Sequence, residues 1–188
     1  MKWQSATAQR LETQVFLMSN APMEPVKLRA FSAVDRDWLV EQHQTSYARD
    51  DGFDASFGPL VAHILDEFLL NHDPASEAGW IAERNGDRLG SIFCVRQGPH
   101  TAKLRLFYLA REARGLGIGR QLLETCMGFA ERKGYGDMQL WTHESHRAAC
   151  ALYRAYGWRL ESSKPVNSFG QDLIEQHWRY CFQGFCNS

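Results

Sequence analysis

The sequence lacks the features that mark membrane, secreted and nucleic-acid-binding proteins. No apolar run approaches the length needed to span a bilayer, and the chain does not open with a basic segment followed by an apolar stretch. Its 21 basic residues nearly balance its 22 acidic ones, so no face is expected to carry a strong field of one sign. We therefore expect a cytoplasmic protein that binds neither nucleic acid nor a membrane.

Cysteine is also used sparingly and without a pattern. The five cysteines are scattered and contain no CxxC pair, which argues against a disulfide framework and against structural zinc. The five cysteines are Cys94, Cys126, Cys150, Cys181 and Cys186. We predict no metal site and expect most of the five to be buried thiols.

The two best-known phosphate loops are missing as well. A GxGxxG pattern would need a glycine at Arg120, and GxxxxGK[ST] occurs nowhere. Instead, residues 103–133 contain a β-prone apolar run, the alternating glycines Gly115, Gly117 and Gly119, and apolar residues at helical spacing. Unpaired amides and the helix dipole attract anions to a helix N-terminus, and Arg114 and Arg120 flank this one. The pattern predicts a phosphate or pyrophosphate site, with an ordinary glycine-rich turn as the alternative.

The length of 188 residues suits one domain with a small appendage. We interpret residues 1–25 as an appendage or linker, in which Leu11, Val15 and Met18 would share a helix face, and residues 26–188 as the domain. Hydrophobic periodicity predicts the order βααβββαβαββ. Within it, the acidic residues 46–54 are predicted to be a loop between two helices, and Asn85-Gly86 to be the turn of a hairpin.

That order and two motifs resemble the GNAT superfamily of acetyl-CoA-dependent N-acetyltransferases. The motifs are RGLGIG at residues 114–119 and AxxLYxxxGW at residues 149–158. The resemblance covers roughly residues 26–182 and implies an α/β (α+β) fold. Its centre would be a mixed, largely antiparallel twisted sheet of six to seven strands with splayed central strands and about four helices. Several segments, among them LWTHESHRAACALYRAYGW, are similar to the acetyltransferase half of proteins fused to a MarR-type regulator. The chain is expected to lack the regulator half.

The resemblance also implies where acetyl-CoA would bind. The strand before the glycine turn would pair with the pantetheine arm, and the turn amides would hold the pyrophosphate with help from Arg114. His146 stands where many relatives have an asparagine that contacts the arm. The residues implied are Phe107, Tyr108, Leu109, Arg114, Gly115, Leu116, Gly117, Ile118, Gly119, Arg120, His146 and Tyr153.

Tyr153 matches the tyrosine that family members place near the thioester sulfur as a general acid, although its helical spacing alone would suit a core aromatic. The resemblance implies no single base, because Lys103 stands near the position where histone-directed relatives carry a glutamate. Any carboxylate or histidine near the attacking amine could accept its proton. The candidates are Glu83, His143, Glu144, Asp50 and Asp51.

The acceptor site is expected in the connection between the first two helices and before the last strand. Carboxylates beside aromatic rings there would suit a small cationic amine, but the same residues could cap helices and fill a satellite core. The residues are Tyr47, Asp50, Asp51, Phe53, Asp54, Phe169 and Asp172.

Three hypotheses of function follow. The first is an N-acetyltransferase that moves acetyl from acetyl-CoA to the primary amine of a small molecule by direct attack, with Tyr153 as general acid. The second is an acyl-CoA-binding sensor or regulatory module without turnover. The third is a dimerisation module whose last strands exchange edges in a homodimer.

Overall fold

The computed structural model describes residues 24–184. The predicted helix with Leu11, Val15 and Met18 lies outside the described residues, so the division at residue 25 stays a prediction. The described elements follow the predicted order: β1 Lys27–Ala30, α1 Arg36–Asp51, α2 Phe57–Asn71, β2 Ala78–Arg84, β3 Asp87–Arg96, β4 Thr101–Leu109, α3 Ile118–Arg132, β5 Asp137–His143, α4 Arg147–Ala155, β6 Arg159–Ser168 and β7 Gln171–Cys181.

The seven strands form one sheet in the order β1-β2-β3-β4-β5-β7-β6. Every neighbouring pair is antiparallel except β4 and β5, which are parallel. This confirms the prediction of a mixed, largely antiparallel sheet with about four helices. The β4–β5 pairing involves only residues 101–103 and 137–139, after which the strands separate. The central strands are therefore splayed.

Local sequence explains the β2–β3 hairpin. Asn85 and Gly86 have φ of 55° and 85°, the left-handed backbone that a type I′ turn requires at both central positions. Asparagine and glycine tolerate that backbone better than other residues, so the turn sets the register of the two strands.

The core fills both faces of the sheet. Phe93 on β3 packs against Phe68 of α2 at a ring distance of 5.0 Å, whereas Trp80 on β2 packs against Phe129 of α3 at 5.3 Å on the opposite face. Helices α1 and α2 therefore cover one face and α3 the other. Three cysteines are buried thiols as predicted: Cys94, Cys126 and Cys150.

The predicted loop at residues 46–54 was wrong for its first six residues, because α1 continues to Asp51. Gly52, with φ of 74°, ends the helix as a left-handed cap. Asp50 and Asp51, the last residues of this helix, also contact residues outside it, as described below. Among the helices of residues 24–184, none combines the length and the apolar character needed to cross a bilayer.

Candidate active site

The gap between β4 and β5 begins beside a bulge in β4. Leu106 has φ of 47°, and the register with β3 places two residues, Leu106 and Phe107, opposite the single residue Ile92. Ser91 holds the bulge by donating its hydroxyl to the carbonyl oxygen of Leu106 at 2.7 Å. A positive φ at a leucine is strained, and such strain is concentrated at functional sites.

The glycine turn lies between β4 and α3. Gly115 and Gly117 have φ of 79° and 77°, and an added Cβ at either position would meet nothing within 4 Å. Backbone conformation, rather than crowding, therefore requires glycine at both positions. The amide of Arg114 bonds to Arg111, and the next amide with a backbone partner is that of Gln121. The amides of residues 115–120 thus make no backbone hydrogen bond within the described part of the chain.

The side chains around this turn differ in what they can offer a ligand. Arg120 is exposed, and the Arg114 guanidinium lies 3.4 Å from an oxygen of Asp50. Leu116 is half exposed, whereas Ile118 is only 1% exposed, so the core occupies the Ile118 side chain and leaves its amide alone available.

The side chain of Tyr108 turns away from the cofactor side. It is 6% exposed, and its hydroxyl donates to Gln42 Oε1 at 3.0 Å and lies 3.2 Å from Ser46 Oγ. Tyr108 therefore fastens β4 to α1, and only its backbone remains for the predicted cofactor contact.

Tyr153 of α4 faces β4 near this gap, with its ring centroid 6.2 Å from that of Phe107. Trp158 and Trp178 hold the other sides of the ring, which is 3% exposed. The hydroxyl has no hydrogen-bond partner within residues 24–184, yet it is not among the fully buried polar atoms. It therefore reaches solvent. Burial raises the pKa of Tyr153 well above 10, so the hydroxyl stays protonated at neutral pH.

His143 ends β5 and carries an unusual atom. In the described residues, its Nδ1 is the one buried side-chain nitrogen or oxygen without a hydrogen-bond partner. The ring contacts Phe53 at 5.6 Å and His146 at 5.5 Å. Burial, with the nearby His146, lowers the pKa of His143 below 6.5. The imidazole is therefore neutral at pH 7 and can accept a proton.

His146 joins α4 to α1. Its Nε2 lies 3.2 Å from Asp51 Oδ2, and its Nδ1 lies 3.2 Å from Thr142 Oγ1. Asp51 also accepts the Ser145 hydroxyl at 3.0 Å. Both nitrogens of His146 and the carboxylate of Asp51 are thus engaged, and the pair links the end of α1 to the start of α4.

Four aromatic residues around the α1–α2 connection and in the β6–β7 turn pack together: Tyr47, Phe53, Phe57 and Phe169. Phe53 stacks on Phe169 at 4.8 Å, and Tyr47 packs on Phe57 at 4.6 Å. The amide of Asp54 donates to the Phe169 carbonyl at 3.0 Å, which joins the α1–α2 connection to the β6–β7 turn. Burial and the charge of Asp51 raise the pKa of Tyr47, so its hydroxyl is also protonated at neutral pH.

The structure therefore brings together several predicted residues from distant parts of the chain: Tyr47, Asp51, Phe53, His143, His146 and Tyr153.

Other predicted residues lie apart or are already paired. Glu83 bonds to Arg29 at 2.7 Å on β2, which β3 separates from β4, so it is not brought to Tyr153. Asp50 is bonded by Arg49 at 2.7 Å and by Arg114, which lowers its pKa to about 2. Neither carboxylate is free in this arrangement to bind an amine.

Glu144 is the remaining predicted candidate for the base. Glu144 is exposed and contacts β7 through its backbone amide, which donates to the carbonyl oxygen of Ile174 at 2.9 Å.

Three features of the site were not predicted from the sequence: the bulge at Leu106, the Thr142 contact to His146 and the position of Arg105. Only Arg105 had a local signal, since it lies two residues from Lys103 and strand alternation places both on one side of β4.

A family model described as "Acetyltransferase (GNAT) family" matches residues 31–158. The chain is 33% identical to N-acetyltransferase family 8 member 3 of Rattus norvegicus over 104 residues, which are 53% of this chain and 44% of that protein. It is 25% identical to an uncharacterized N-acetyltransferase of Schizosaccharomyces pombe over 143 residues, 75% of this chain and 84% of that protein. The chain spans about half the length of the N-acetyltransferase family 8 relatives that it matches.

Solved structures agree with the fold. An acetyltransferase of the GNAT family from Staphylococcus aureus Mu50 superposes with a TM-score of 0.69 at 16% identity, covering 84% of this chain and 99% of that one. The protein yncA of Salmonella typhimurium, solved with its cofactor acetyl-CoA, gives a TM-score of 0.67 at 16% identity, covering 88% and 98%. The similarity to regulator fusions is not tested by these matches and stays a prediction.

Proposed function

The chain belongs to the acetyltransferase (GNAT) family, and we propose that it transfers the acetyl group of acetyl-CoA to the primary amine of a small molecule. GNAT acetyltransferases use acetyl-CoA. One observation carries the proposal: an unpaired, protonated and solvent-reaching hydroxyl, that of Tyr153, lies beside the gap between two splayed strands. A proton donor at that place is what the departure of a thiolate requires.

The residues of the gap and the turn fit acetyl-CoA. The six amides of residues 115–120, without backbone partners, suit a pyrophosphate, and the absence of a Cβ at Gly115 and Gly117 allows close approach. Arg114 and Arg120 would add charge. Beyond Lys103, the described part of the chain offers β4 no partner on its β5 side, so the backbone of Phe107, Tyr108 or Leu109 would pair with the extended pantetheine arm.

Tyr153 would act as the general acid. Its raised pKa keeps the proton on the oxygen through the neutral range, and no group of residues 24–184 competes for the hydroxyl. Tyr153 would give a proton, or a hydrogen bond that becomes a proton transfer, to the sulfur as the bond between sulfur and the acetyl carbon breaks. The products would be an acetamide and free CoA thiol.

His143 is our choice for the base. Its pKa is lowered, so the imidazole is neutral at pH 7, and Nε2, the ring nitrogen that is not enclosed, would accept the proton that the attacking amine releases. Asp51 and His146 would position the segment that carries His143, because they fasten the β5–α4 connection to α1. Glu83 stays a predicted alternative, although its ion pair with Arg29 disfavours that role.

Tyr47 and Phe53 would form the wall of the acceptor site. Their rings lie within 5.2 Å of His146 and 5.6 Å of His143, respectively, so an acceptor held against them would be close to the base. The cytoplasmic location and the homodimer stay predictions. Size-exclusion chromatography with light scattering would test the second.

A coupled assay tests the proposed function. Purified protein would be incubated with acetyl-CoA and a panel of primary amines, with released thiol and acetamide mass as readouts, while calorimetry measures CoA binding. We expect CoA binding and amine-dependent thiol release, and we expect His143→Gln to reduce kcat with little change in CoA affinity. CoA binding without turnover on any amine would refute catalysis and favour the sensor hypothesis.

A further inference from the structure

Two cations on one side of β4 have no counter-charge. Lys103 and Arg105 are both only partly exposed, and within residues 24–184 neither makes a hydrogen bond or an ion pair. Arg29 of β1 shows the usual alternative, since it bonds to Asp35 and Glu83 at 2.7 Å each. Partly buried charges are costly unless they are paired, so an unpaired couple is an uncommon arrangement.

The pKa shifts of Lys103 and Arg105 also indicate that neither cation has an anionic partner. Burial, together with repulsion from Arg105, lowers the pKa of Lys103 to about 8, and burial lowers the pKa of Arg105. No carboxylate contributes to either shift. An anion bound between them would reverse both shifts and recover part of the lost solvation.

The couple lies on the acceptor side of the sheet. Lys103 Nζ sits 3.3 Å from the centroid of the Trp141 ring, and Trp141 precedes His143 by two residues, so strand alternation puts Trp141 and His143 on one face of β5. Lys103 is also the last residue of β4 that pairs with β5. Trp141 is 54% exposed, so a ligand can reach this point.

Arg105 extends the region towards α2. It lines a cleft of about 250 Å³ together with Phe68, Phe93 and Leu106. Glu67 and Glu77 also line that cleft, but Glu67 accepts from the Asn71 side chain at 3.1 Å, and Glu77 accepts from the amides of Asp73 and Arg96 at 3.0 and 2.7 Å. Both carboxylates accept from amide groups, and neither forms an ion pair with Arg105.

The one carboxylate on the neighbouring part of β7 is occupied too. Glu175 faces His143 across the β5–β7 pair. It is bonded by His177 at 2.9 Å and by Lys164 at 3.2 Å. Among the described residues, Lys103 and Arg105 are therefore left without a carboxylate partner, and Lys103 contacts only the Trp141 ring.

We propose that Lys103 and Arg105 form a subsite for an anionic group on the acceptor, so that the acceptor is an amine that also bears a carboxylate or a phosphate. The inference rests on the proposed function and specifies its substrate class. The planar guanidinium of Arg105 matches either group with two parallel hydrogen bonds, while Lys103 adds a point charge. The acceptor would then be zwitterionic rather than purely cationic.

Matched acceptor pairs test the proposal. Phenylalanine and phenylalaninamide share an amine and a ring but differ in the carboxylate, and phosphoethanolamine and ethanolamine differ in the phosphate. We expect kcat/KM to favour the anionic member of one pair, and the pair that shows the preference identifies the group. Arg105→Gln should reduce kcat/KM for that member about 10- to 100-fold, the value of a charge-assisted hydrogen bond, while leaving the neutral member unchanged.

Two controls separate recognition from folding. Arg105→Lys keeps the charge and should retain part of the preference. Arg96→Gln removes a neighbouring cation that is more than half exposed and is paired with Asp73, and it should leave the preference intact. Equal kcat/KM within both pairs, or an equal loss for both members in Arg105→Gln, would overturn the proposal.

Equilibrium binding keeps the inference separate from catalysis. Calorimetry would compare N-acetylphenylalanine with N-acetylphenylalaninamide in the presence of CoA, and the corresponding N-acetylated phosphoethanolamine and ethanolamine. If one anionic product binds more tightly than its neutral partner, and Lys103→Met and Arg105→Gln abolish the difference, the subsite is supported even when no amine is acetylated. A lack of acetylation would then refute only the proposed function. No dependence on the anionic group in either pair would refute the subsite itself.

Discussion

Replacing Tyr153 with phenylalanine should separate catalysis from folding, because the hydroxyl contributes to one and not to the other. The substitution removes a single oxygen that makes no hydrogen bond within the described residues and keeps the ring that packs on Phe107, Trp158 and Trp178. The free energy of unfolding should therefore change by no more than about 0.5 kcal/mol. A general acid typically contributes about 10²- to 10⁴-fold, so kcat should fall by that factor, equivalent to about 3 to 5 kcal/mol of barrier.

Tyr135 offers a matched control, since it is also a buried tyrosine but one with a hydrogen bond. It is 4% exposed, and its hydroxyl donates to the carbonyl oxygen of Ser76 at 3.0 Å. Tyr135→Phe should leave that buried carbonyl without its partner and lower the free energy of unfolding by about 1 to 3 kcal/mol, with kcat unchanged. The two variants are thus expected to show opposite patterns.

The measurements are urea unfolding followed by fluorescence and a steady-state thiol-release assay at saturating acetyl-CoA. CoA affinity by calorimetry should be the same in wild type and Tyr153→Phe, because the proposed cofactor contacts of the turn amides are untouched. A kcat of Tyr153→Phe within threefold of wild type would refute the role of general acid. A loss of several kcal/mol in stability would refute the account of the hydroxyl as unpaired.

Two further substitutions test the cofactor turn and a buried histidine. Gly119→Ala should leave the free energy of unfolding of the unliganded protein unchanged or raise it by up to about 1 kcal/mol, because the new Cβ would lie 3.6 Å from Phe107. The same substitution should weaken CoA binding at least about tenfold by calorimetry. Gly128→Ala in the same helix is the control, and equal CoA affinities in the two variants would contradict the expectation. His43 is 2% exposed, and burial lowers its pKa to about 4. Between pH 6.5 and 4 the unfolded chain therefore binds a proton that the native state does not bind. The free energy of unfolding should fall by about 3 kcal/mol as the pH is lowered through that window. His43→Gln should flatten the pH dependence of urea unfolding, and exposed His63→Gln should not; an unchanged slope in His43→Gln would contradict the assignment.

The acceptor side changes most between the predicted and the observed site. Sequence reasoning placed Asp50 and Asp51 there as free carboxylates for a cationic amine. The structure instead pairs Asp50 with Arg49 and Arg114, and Asp51 with Ser145 and His146. On β4, Lys103 and Arg105 make no ion pair among the described residues. Electrostatics therefore favour an acceptor with an anionic group, which composition alone could not indicate because the net charge is only −1.

Those features that depend on neighbouring residues were predictable from the sequence. Asn85-Gly86 turned the β2–β3 hairpin, because the left-handed backbone excludes most other residues. Gly115 and Gly117 shaped the turn before α3 for the same reason. The end of α1 was misplaced although its signal is local, since Gly52 caps the helix in the left-handed conformation.

The sequence by itself determined the order of the elements, the glycine turn and the family, since each of these is encoded in residues a few positions apart. Only the tertiary structure decided which charges are paired and which hydroxyl is free. Asp51 meets Ser145 and His146 across more than 90 residues, and Tyr153 lacks a partner because of how α4 packs on the sheet. Charge compensation and burial arise from contacts between segments that are remote along the chain, so no local pattern carries them.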